Sequence, residues 1–280
     1  MGSEPSDDVM TQEDFDRLQS LMASRAGFRL TRDRIHLAEH RLGPVARREG
    51  FDSVEALLAS LWAKPVATLG WAVIEALLNA ETWFRRDRAP FDVFSRELLP
   101  AIGRVRPDGL VRVWSAGCST GQEGYSLAMA ALEAQANIEI VATDLSQRAI
   151  DKARSGAFTG FEIQRGLTAA TMLRWFDPAD EQWVARPELK AAVRFARANL
   201  LDDAADATKF DVIFCRHVLS DMEPARRGGV IDSLERRLVD DGCLFLGPDE
   251  RLDGDTVAFR PVNGRKGLFV KAPSALSRAA

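Results

Sequence analysis

The length, composition and charge of this chain are those of an ordinary globular protein. Its 280 residues are 46% hydrophobic and 28% charged, with a formal net charge of -4 at pH 7, which excludes a general polycation for nucleic acid. No apolar run approaches the roughly 18 to 20 residues of a membrane-spanning helix, and the acidic start, MGSEPSDDVMTQEDFD, does not have the pattern of a signal peptide. We therefore expect a cytoplasmic protein without nucleic-acid binding or membrane insertion.

The cysteines and histidines do not indicate a disulfide framework or a metal site. Cys118, Cys215 and Cys243 are far apart and lie inside apolar runs, as buried free thiols do. His36 and His40 share a helical face in an arginine-rich stretch, where exposed histidines are more common than metal ligands. We expect no bound metal.

The first hundred residues carry mainly helical patterns. Residues 1–10 are expected to be disordered, residues 11–78 to form a helical domain, and residues 79–110 to link it to the rest. Four helices are predicted in chain order: DFDRLQSLMASRAG, with a capping box at Thr11 and Asp14; TRDRIHLAEHRLG, closed or kinked at Gly43-Pro44; SVEALLASLW; and PVATLGWAVIEALL.

From Val111 onward, short β-rich runs alternate with helical stretches. The runs are VRVWSA, IEIVATD, AVRFARAN, FDVIFCRHVL and GCLFLG, and the helical stretches are GYSLAMAALEAQ, SQRAIDKARSG and RRGGVIDSLERRL. This alternation predicts an α/β fold with a doubly wound parallel sheet covered on both faces. Such sheets bind ligands at the carboxyl ends of their strands, where the strand order reverses.

Two of these strand ends carry residues suited to a nucleotide-type ligand. The loop SAGCSTGQ has Gly117 and Gly121, a spacing that fits neither the dinucleotide nor the Walker pattern, so it can also be a simple strand-to-helix turn. Asp144 follows the second strand, where a carboxylate can accept both hydroxyls of a ribose, although Asp is also a common helix N-cap. The two features in consecutive strand–helix units favour a ligand.

Six motifs in one order make the family resemblance specific. They are NAETWFRRDRAPFDVF, WSAGCSTGQEGYSLAM, ATDLSQRAIDKARSGAF, NLLD, FDVIFCRHVL and LFLG. Together they resemble the CheR family of S-adenosylmethionine-dependent methyltransferases, which esterify glutamate side chains of bacterial chemotaxis receptors. DFDRLQSLMASRAGF and HRLGPVARREGFDSVEALLASL are similar to its N-terminal helical domain, so the resemblance spans residues 13–271. It implies a Rossmann-like cofactor-binding domain at 111–280, with an inserted antiparallel β-subdomain at about 160–195.

The resemblance also implies which residues bind S-adenosylmethionine and its product, S-adenosylhomocysteine. Arg86 matches a residue at the methionine end of the cofactor that is also the family's candidate for organising methyl transfer. The other matching cofactor positions are Thr82, Gly117, Glu123, Asp144, Asn199, Leu200, Cys215 and Arg216.

Several of these residues also have a purely structural interpretation. Glu123 can be a first-turn acid that suits the helix dipole, and Arg86 can be an exposed charge. Asn199 can cap a turn, and Cys215 can simply pack in its strand.

The reaction itself asks little proton chemistry of the protein. A glutamate side chain has a reference pKa of about 4.3, so the acceptor is already ionised and needs no general base. Alignment and electrostatics are then the main contributions, and Arg86 is the candidate to orient the acceptor through a forked hydrogen bond.

Three positions depart from the family pattern. Ala80 and His217 stand where the family has Asn, and Asp221 stands where it has a tyrosine beside the transferred methyl group. Tyr125 is the only tyrosine of the chain. An ionised Asp221 about 4 Å from an incoming glutamate would cost on the order of 4 kcal/mol at an intermediate dielectric.

Two functions therefore stay open at this stage. The chain is either an active protein-glutamate O-methyltransferase with Asp221 at its catalytic site, or a CheR-like protein that binds the cofactor and acts as a sensory or protein-interaction module.

The arginine-rich helix suggests how a receptor is recognised. Arg34, Arg41 and Arg48 recur every seven residues and would form one stripe on an unbroken helix. The resemblance implies that this domain contacts the glutamate-rich helices in the cytoplasmic domain of a methyl-accepting chemotaxis-type receptor, so we expect docking there, with a solvated charged face as the alternative. The short, glycine-free turn DPADEQ favours a member that does not need a receptor tail peptide. We expect a monomer.

Overall fold

The computed structural model describes residues 10–64, 66–202, 208–252 and 256–272. The disorder expected at residues 1–10 falls, apart from Met10, outside these ranges. The chain divides into two compact units, Met1–Asn79 with Asp221–Glu223, and Ala80–Ser220 with Pro224–Ala280. Within the described ranges, no helix is long and apolar enough to cross a membrane.

The described part of the first unit is built from four α-helices. They are α1 Gln12–Arg25, α2 Ile35–Arg48, α3 Val54–Ala63 and α4 Ala67–Leu77. The predicted cap of α1 is confirmed, since the Thr11 hydroxyl accepts a hydrogen bond of 3.1 Å from the Asp14 backbone N–H. The helices bury their apolar faces against one another, with Phe15, Leu42 and Val73 fully buried.

Helix α2 passes through the Gly43-Pro44 dipeptide and continues to Arg48. The prediction that the helix closes there is therefore wrong. Proline removes one backbone hydrogen bond, but Leu42 and Val45 on either side of the dipeptide are buried. Tertiary packing of this apolar face keeps the segment helical, as it often does where local propensity is poor.

The second unit is built on a seven-stranded sheet in which the predicted strands are confirmed. The strands of the chain are β1 Val111–Ala116, β2 Ile138–Asp144, β3 Ala157–Thr159, β4 Phe176–Ala179, β5 Gln182–Ala185, β6 Val193–Arg197, β7 Phe210–Phe214, β8 Leu238–Phe245, β9 Phe259–Pro261 and β10 Leu268–Lys271. The helices of this unit are α5 Ala89–Val93, α6 Leu99–Val105, α7 Gln122–Glu133, α8 Gln147–Ser155, α9 Gly160–Gln164, α10 Ala169–Trp175, α11 Pro187–Ala191 and α12 Pro224–Arg237.

The strand order of the large sheet creates a switch point beside β1. The order is β6-β2-β1-β7-β8-β10-β9. The first five strands are parallel to one another, β10 is antiparallel to β8, and β9 is antiparallel to β10. The chain moves from β1 outward through β2 to β6, and then returns to β7 on the other side of β1. In doubly wound sheets the crevice at such a reversal is the ligand site.

A small antiparallel sheet, β3-β5-β4, is inserted between β2 and β6. Only Asp180 and Glu181 separate β4 from β5, and Asp180 has a left-handed φ of 51°. The α/β fold class with this small antiparallel sheet is confirmed. The strands β9 and β10 were missed by the sequence analysis because they are only three and four residues long and give no clear alternation.

Candidate active site

The loop after β1 lies tightly against the loop after β7. Gly117 has φ +81°, and a Cβ atom placed on it would lie 2.5 Å from Cγ2 of Val218, so the position requires glycine. The backbone N–H groups of Gly117 and Cys118 both donate to the carbonyl oxygen of Thr143, at 2.8 and 2.9 Å. The loop therefore runs directly over the carboxyl ends of β1 and β2.

Asp144, the last residue of β2, joins two loops through its carboxylate. One oxygen accepts from the backbone N–H of Ser119 at 2.8 Å, and the other accepts from the N–H of Ser146 at 2.9 Å. The N-cap of α8 is Ser146, whose hydroxyl accepts from the N–H of Ala149, so the interpretation of Asp144 as the cap is wrong. Because each carboxylate oxygen can accept two hydrogen bonds, Asp144 has the chemistry to bind hydroxyl groups of a ligand.

Glu123 forms a buried ion pair at the start of α7. One carboxylate oxygen accepts from the hydroxyl of Ser115 at 2.8 Å, and the other lies 3.0 Å from Nη1 of Arg216. The residue is only 8% exposed, so it is more than an acid that suits the helix dipole. Inside the protein, the Glu123 carboxylate is thus paired with the guanidinium of Arg216.

Arg216 connects this ion pair to the segment that precedes α5. Its Nη2 donates to the carbonyl oxygen of Arg86 at 2.8 Å and to the carboxylate of Asp87 at 2.6 Å. The guanidinium is almost fully buried, and its Nε has no hydrogen-bond partner among the described residues. A buried charge of this kind needs its partners in place, because loss of one leaves the other uncompensated.

Two acidic residues missed by the sequence analysis organise the loop after β7. Asp87 also accepts from, or pairs with, Nε2 of His217 at 2.8 Å. Glu250 is buried and accepts three backbone hydrogen bonds, from the N–H groups of His217, Ser220 and Gly247. Glu250 lies in the loop after β8, and Asp144 is the last residue of β2. An acidic residue close to the carboxyl end of a predicted strand is the sequence signal that could have identified Glu250 too.

The segment from Ala80 to Arg88 carries backbone strain. Arg85, Asp87 and Arg88 have φ values of 49°, 64° and 41°, a left-handed conformation that costs on the order of 1–3 kcal/mol per non-glycine residue. The fully buried ring of Phe84 anchors the segment, with ring centroids 5.0 Å from Phe158 and 5.5 Å from Phe176. Such strain persists only where surrounding contacts hold it, and it is common at functional sites.

Arg86 is half-buried and stacked, which differs from an exposed surface charge. Its Nη1 donates to the carbonyl oxygen of Glu81 at 2.8 Å, and its guanidinium carbon lies 4.2 Å from the ring centroid of Trp83. Nε of Arg86 is buried without a partner among the described residues. Burial lowers the pKa of Arg86, but a guanidinium remains protonated at physiological pH. A buried donor without an acceptor is a group that a ligand can satisfy.

The other cofactor positions inferred from the resemblance lie after β6, after β7 and in the segment before α5. Asn199 accepts the N–H of Leu201 at 3.1 Å and so shapes the turn after β6, while Leu200 and Thr82 are half-buried. Cys215 is fully buried, and burial raises the pKa of its thiol. Its backbone N–H donates to the carbonyl oxygen of Phe245 at 2.8 Å.

Asp221 belongs by its contacts to the first unit. Its carboxylate accepts from the side-chain amide of Asn79 at 3.2 Å, and its carbonyl accepts from the N–H of Arg29 at 2.8 Å. A short antiparallel bridge pairs Phe28 with the next residue, Met222. The Asp221 carboxylate is thus held by a neutral amide and has no cation among these contacts.

The three arginines predicted to form one stripe have different environments. Arg34 precedes the first residue of α2, and Arg48 is half-exposed and pairs with Glu49 at 2.9 Å. Nη1 of Arg41 donates to the carbonyl oxygens of Leu77 and Leu78, at 3.1 and 3.0 Å, and so satisfies the end of α4. Arg34 therefore lies outside α2, and of the two arginines on that helix Arg41 is used inside its own unit.

The described residues hold no group of three or more histidine, cysteine or acidic side chains that could bind a metal ion. The three cysteines are buried and free.

Comparison with known proteins identifies the family. Residues 80–268 match the family described as the CheR methyltransferase, SAM binding domain. The chain belongs to the CheR methyltransferase family. A chemotaxis protein methyltransferase of Pseudomonas putida is 31% identical over 268 residues, which are 92% of this chain and 98% of that protein.

Two further similarities are more limited. The probable biofilm formation methyltransferase WspC of Pseudomonas aeruginosa is 35% identical over 187 residues, 64% of this chain and 43% of that protein. A solved TehB-like SAM-dependent methyltransferase of Corynebacterium glutamicum aligns with a TM-score of 0.38 at 16% identity, over 62% of this chain and 86% of that one. The structural likeness is too weak to support an argument about function.

The residues at the strand ends fit S-adenosylmethionine, the cofactor of this CheR domain. The loop at Gly117 packs as bare backbone against Val218, so glycine is required there by the protein's own packing. Asp144 supplies a fixed carboxylate for hydroxyl groups, and the buried Nε donors of Arg86 and Arg216 have no protein acceptor among the described residues.

Proposed function

We propose that this protein methylates glutamate side chains in the cytoplasmic domain of a methyl-accepting chemotaxis-type receptor. The observation that carries the proposal is the state of Arg86, a half-buried guanidinium with an unpartnered donor in a strained, firmly anchored segment. An anionic acceptor requires a cation of this kind. Membership of the CheR family and the similarity to a chemotaxis protein methyltransferase over nearly the whole chain support the choice of acceptor.

The proposed roles of the site residues are those that the family resemblance implies. Asp144 accepts the ribose hydroxyls, the backbone at Gly117 passes along the cofactor, and Asn199 with Leu200 borders the adenine. Thr82 and Arg86 meet the methionine end, and Cys215 and Arg216 contribute at the end of β7. Glu123 acts through Arg216, because their buried ion pair fixes the guanidinium that in turn fixes Arg86 and Asp87.

The chemistry asked of these side chains is positioning. When bound, the cofactor supplies an electrophilic methyl group on a sulfonium. The acceptor glutamate is ionised near pH 7, so no residue has to remove a proton. Arg86 orients the carboxylate through its donors and stabilises its charge in a partly dehydrated site, where a fixed cation is more effective than in water.

The catalytically weakened alternative is not favoured. Its motivation was the charge of Asp221, but the family match covers the complete cofactor segment from residue 80 to residue 268, and relatives that share almost the whole chain are named methyltransferases. We therefore treat Asp221 as a residue that tunes the rate.

The receptor is proposed to meet the first unit through Arg34 and Arg48, with Arg41 in a supporting structural role. The two-residue turn between β4 and β5 is too short to add a further binding loop, so we propose recognition without a receptor tail peptide. We place the reaction in the cytoplasm, where the acceptor helices lie, and propose that the protein acts as a monomer.

The direct test is transfer of a tritiated methyl group from S-adenosylmethionine to a receptor cytoplasmic fragment. We expect label that is released by mild base, as a carboxyl methyl ester is, and that disappears when the acceptor glutamates are changed to alanine. Arg86→Lys should lower kcat at least tenfold, because lysine keeps the charge but loses the forked geometry. The exposed Arg104→Lys is the matched control. Label that resists mild base would refute the proposed acceptor. The absence of label from a protein that still binds the cofactor would refute it as well.

A further inference from the structure

Trp83 lies between two arginine side chains. The guanidinium carbon of Arg86 is 4.2 Å from the centroid of the indole ring, and that of Arg165 is 3.9 Å from it. Both guanidinium groups are therefore within cation–π distance of one indole ring. Each cation is attracted by the negative face of the indole.

Glu81 completes this arrangement on one side. Its carboxylate binds Nη2 of Arg165 at 2.9 Å, and its backbone carbonyl accepts from Nη1 of Arg86 at 2.8 Å. The hydrogen bond from Arg165 lowers the pKa of Glu81, so the acid is ionised at neutral pH. Glu81 therefore holds one guanidinium nitrogen of Arg86 and one of Arg165.

The position of Arg165 is itself set by the backbone. The next residue, Gly166, approaches the carbonyl of Phe84 so closely that a Cβ atom would lie 1.8 Å from its oxygen. Phe84 is fully buried and follows Trp83 directly. The chain after α9 is thus pressed against the segment that carries Arg86, and Arg165 reaches Trp83 from there.

We propose that Trp83 is a positioning residue that holds the guanidinium of Arg86 for the acceptor and the cofactor, with Arg165 supporting the same ring. This inference rests on the proposed function of Arg86. The ring restricts the plane of the guanidinium, Glu81 fixes one of its nitrogens, and the unpartnered Nε remains to meet a ligand. Without the indole, Arg86 gains rotamers, and ordering it on binding costs more free energy.

The arrangement also links the inserted antiparallel sheet to the site. Arg165 lies between α9 and α10, the two helices that connect β3 to β4. A change in this insertion can therefore reach Arg86 through a single aromatic ring, without any direct contact to the cofactor.

A double-mutant cycle on S-adenosylhomocysteine binding tests this role. We expect Trp83→Leu to raise the Kd about tenfold by calorimetry, Trp83→Phe to raise it less, and Arg165→Ala to raise it about threefold. If Trp83 acts through Arg86, then Trp83→Leu in an Arg86→Ala background should add less than a twofold effect. Trp183→Leu, at another half-buried tryptophan of the same unit, is the control and should bind normally.

The cycle separates this proposal from the proposed function. Additive effects of Trp83→Leu and Arg86→Ala, or an unchanged Kd in Trp83→Leu, would overturn the positioning role even if methyl transfer to the receptor is observed. Coupled effects without receptor methylation would retain the positioning role and reject the acceptor. Circular dichroism and the midpoint of thermal unfolding should match the wild type in Trp83→Leu, so that a fall in affinity is not caused by unfolding.

Discussion

Asp221 carries a charge that we expect to oppose an anionic acceptor, because the family resemblance implies a tyrosine at this position. Its carboxylate accepts from a neutral amide, that of Asn79, at 3.2 Å, and such a hydrogen bond stabilises the charge without neutralising it. If position 221 lies beside the transferred methyl group, as the family resemblance implies, the protein loses rate to like-charge repulsion.

We therefore predict that Asp221→Asn raises kcat for receptor methylation about threefold to tenfold. The amide keeps an oxygen that can accept from Asn79 but carries no charge. Asp221→Tyr, which restores the family residue, should raise kcat at least as much. Initial rates of methyl transfer at saturating cofactor measure the effect.

The neighbouring acid Glu223 is the matched control, because its N–H pairs with Gly27 and its side chain is half-exposed. Glu223→Gln should leave kcat unchanged. An unchanged or lower kcat in both Asp221 variants would show that the charge at this position does not limit the reaction.

The sequence predicted where single site residues lie in the fold better than it predicted which residues they contact. The place of Asp144 at the end of a strand was evident from the apolar run before it. The pairing of Glu123 with Arg216 was not, because it joins residues 93 apart in the chain and depends on the strand order. The roles of Asp87 and Trp83 also arise only when distant segments are folded together.

Among the elements, helix α2 shows how packing changes the meaning of a charge pattern. Seven-residue spacing correctly placed Arg41 and Arg48 on one helix. It could not show that the end of α4 lies within reach of Arg41, whose guanidinium then satisfies two backbone carbonyls. A periodic pattern gives the face of a helix, but the neighbours of that face follow from the tertiary structure.

For receptor docking we predict different outcomes for Arg41 and Arg48 of this helix and for Arg34, which immediately precedes it. Arg34→Glu and Arg48→Glu should each raise the KM for the receptor fragment severalfold, with little change in kcat, and the effect should shrink at high salt because exposed charges are screened. Steady-state rates at low and high ionic strength measure this.

Arg104→Glu on the exposed side of α6 is the matched charge reversal and should leave the KM unchanged. Arg41→Glu should instead lower the midpoint of thermal unfolding, since it removes the donor that satisfies α4. Equal KM values for wild type, Arg34→Glu and Arg48→Glu would reject the docking role.

At the scale of the whole molecule, the alternation of strands and helices was sufficient to predict the doubly wound sheet. The division into units contains a feature that no local pattern indicates. Residues Asp221–Glu223 follow β7 in the chain, yet they group with the helices of the first unit. Their place in the first unit depends on backbone hydrogen bonds with Gly27 and Arg29. Hydrogen bonds between loops that are distant in the chain have no signature in a single sequence.

The central claim is that the carboxyl ends of β1 and β2 bind an adenosyl cofactor through Asp144. Calorimetric titration of S-adenosylhomocysteine into the purified protein tests it most directly. We predict binding of one molecule per chain, weakened at least tenfold by Asp144→Asn, because a hydrogen bond to a charged group contributes about 1.5–3 kcal/mol. Asp151→Asn, on the exposed side of α8, should bind as the wild type does. No heat of binding in the wild type, or equal affinity in Asp144→Asn, would contradict the account.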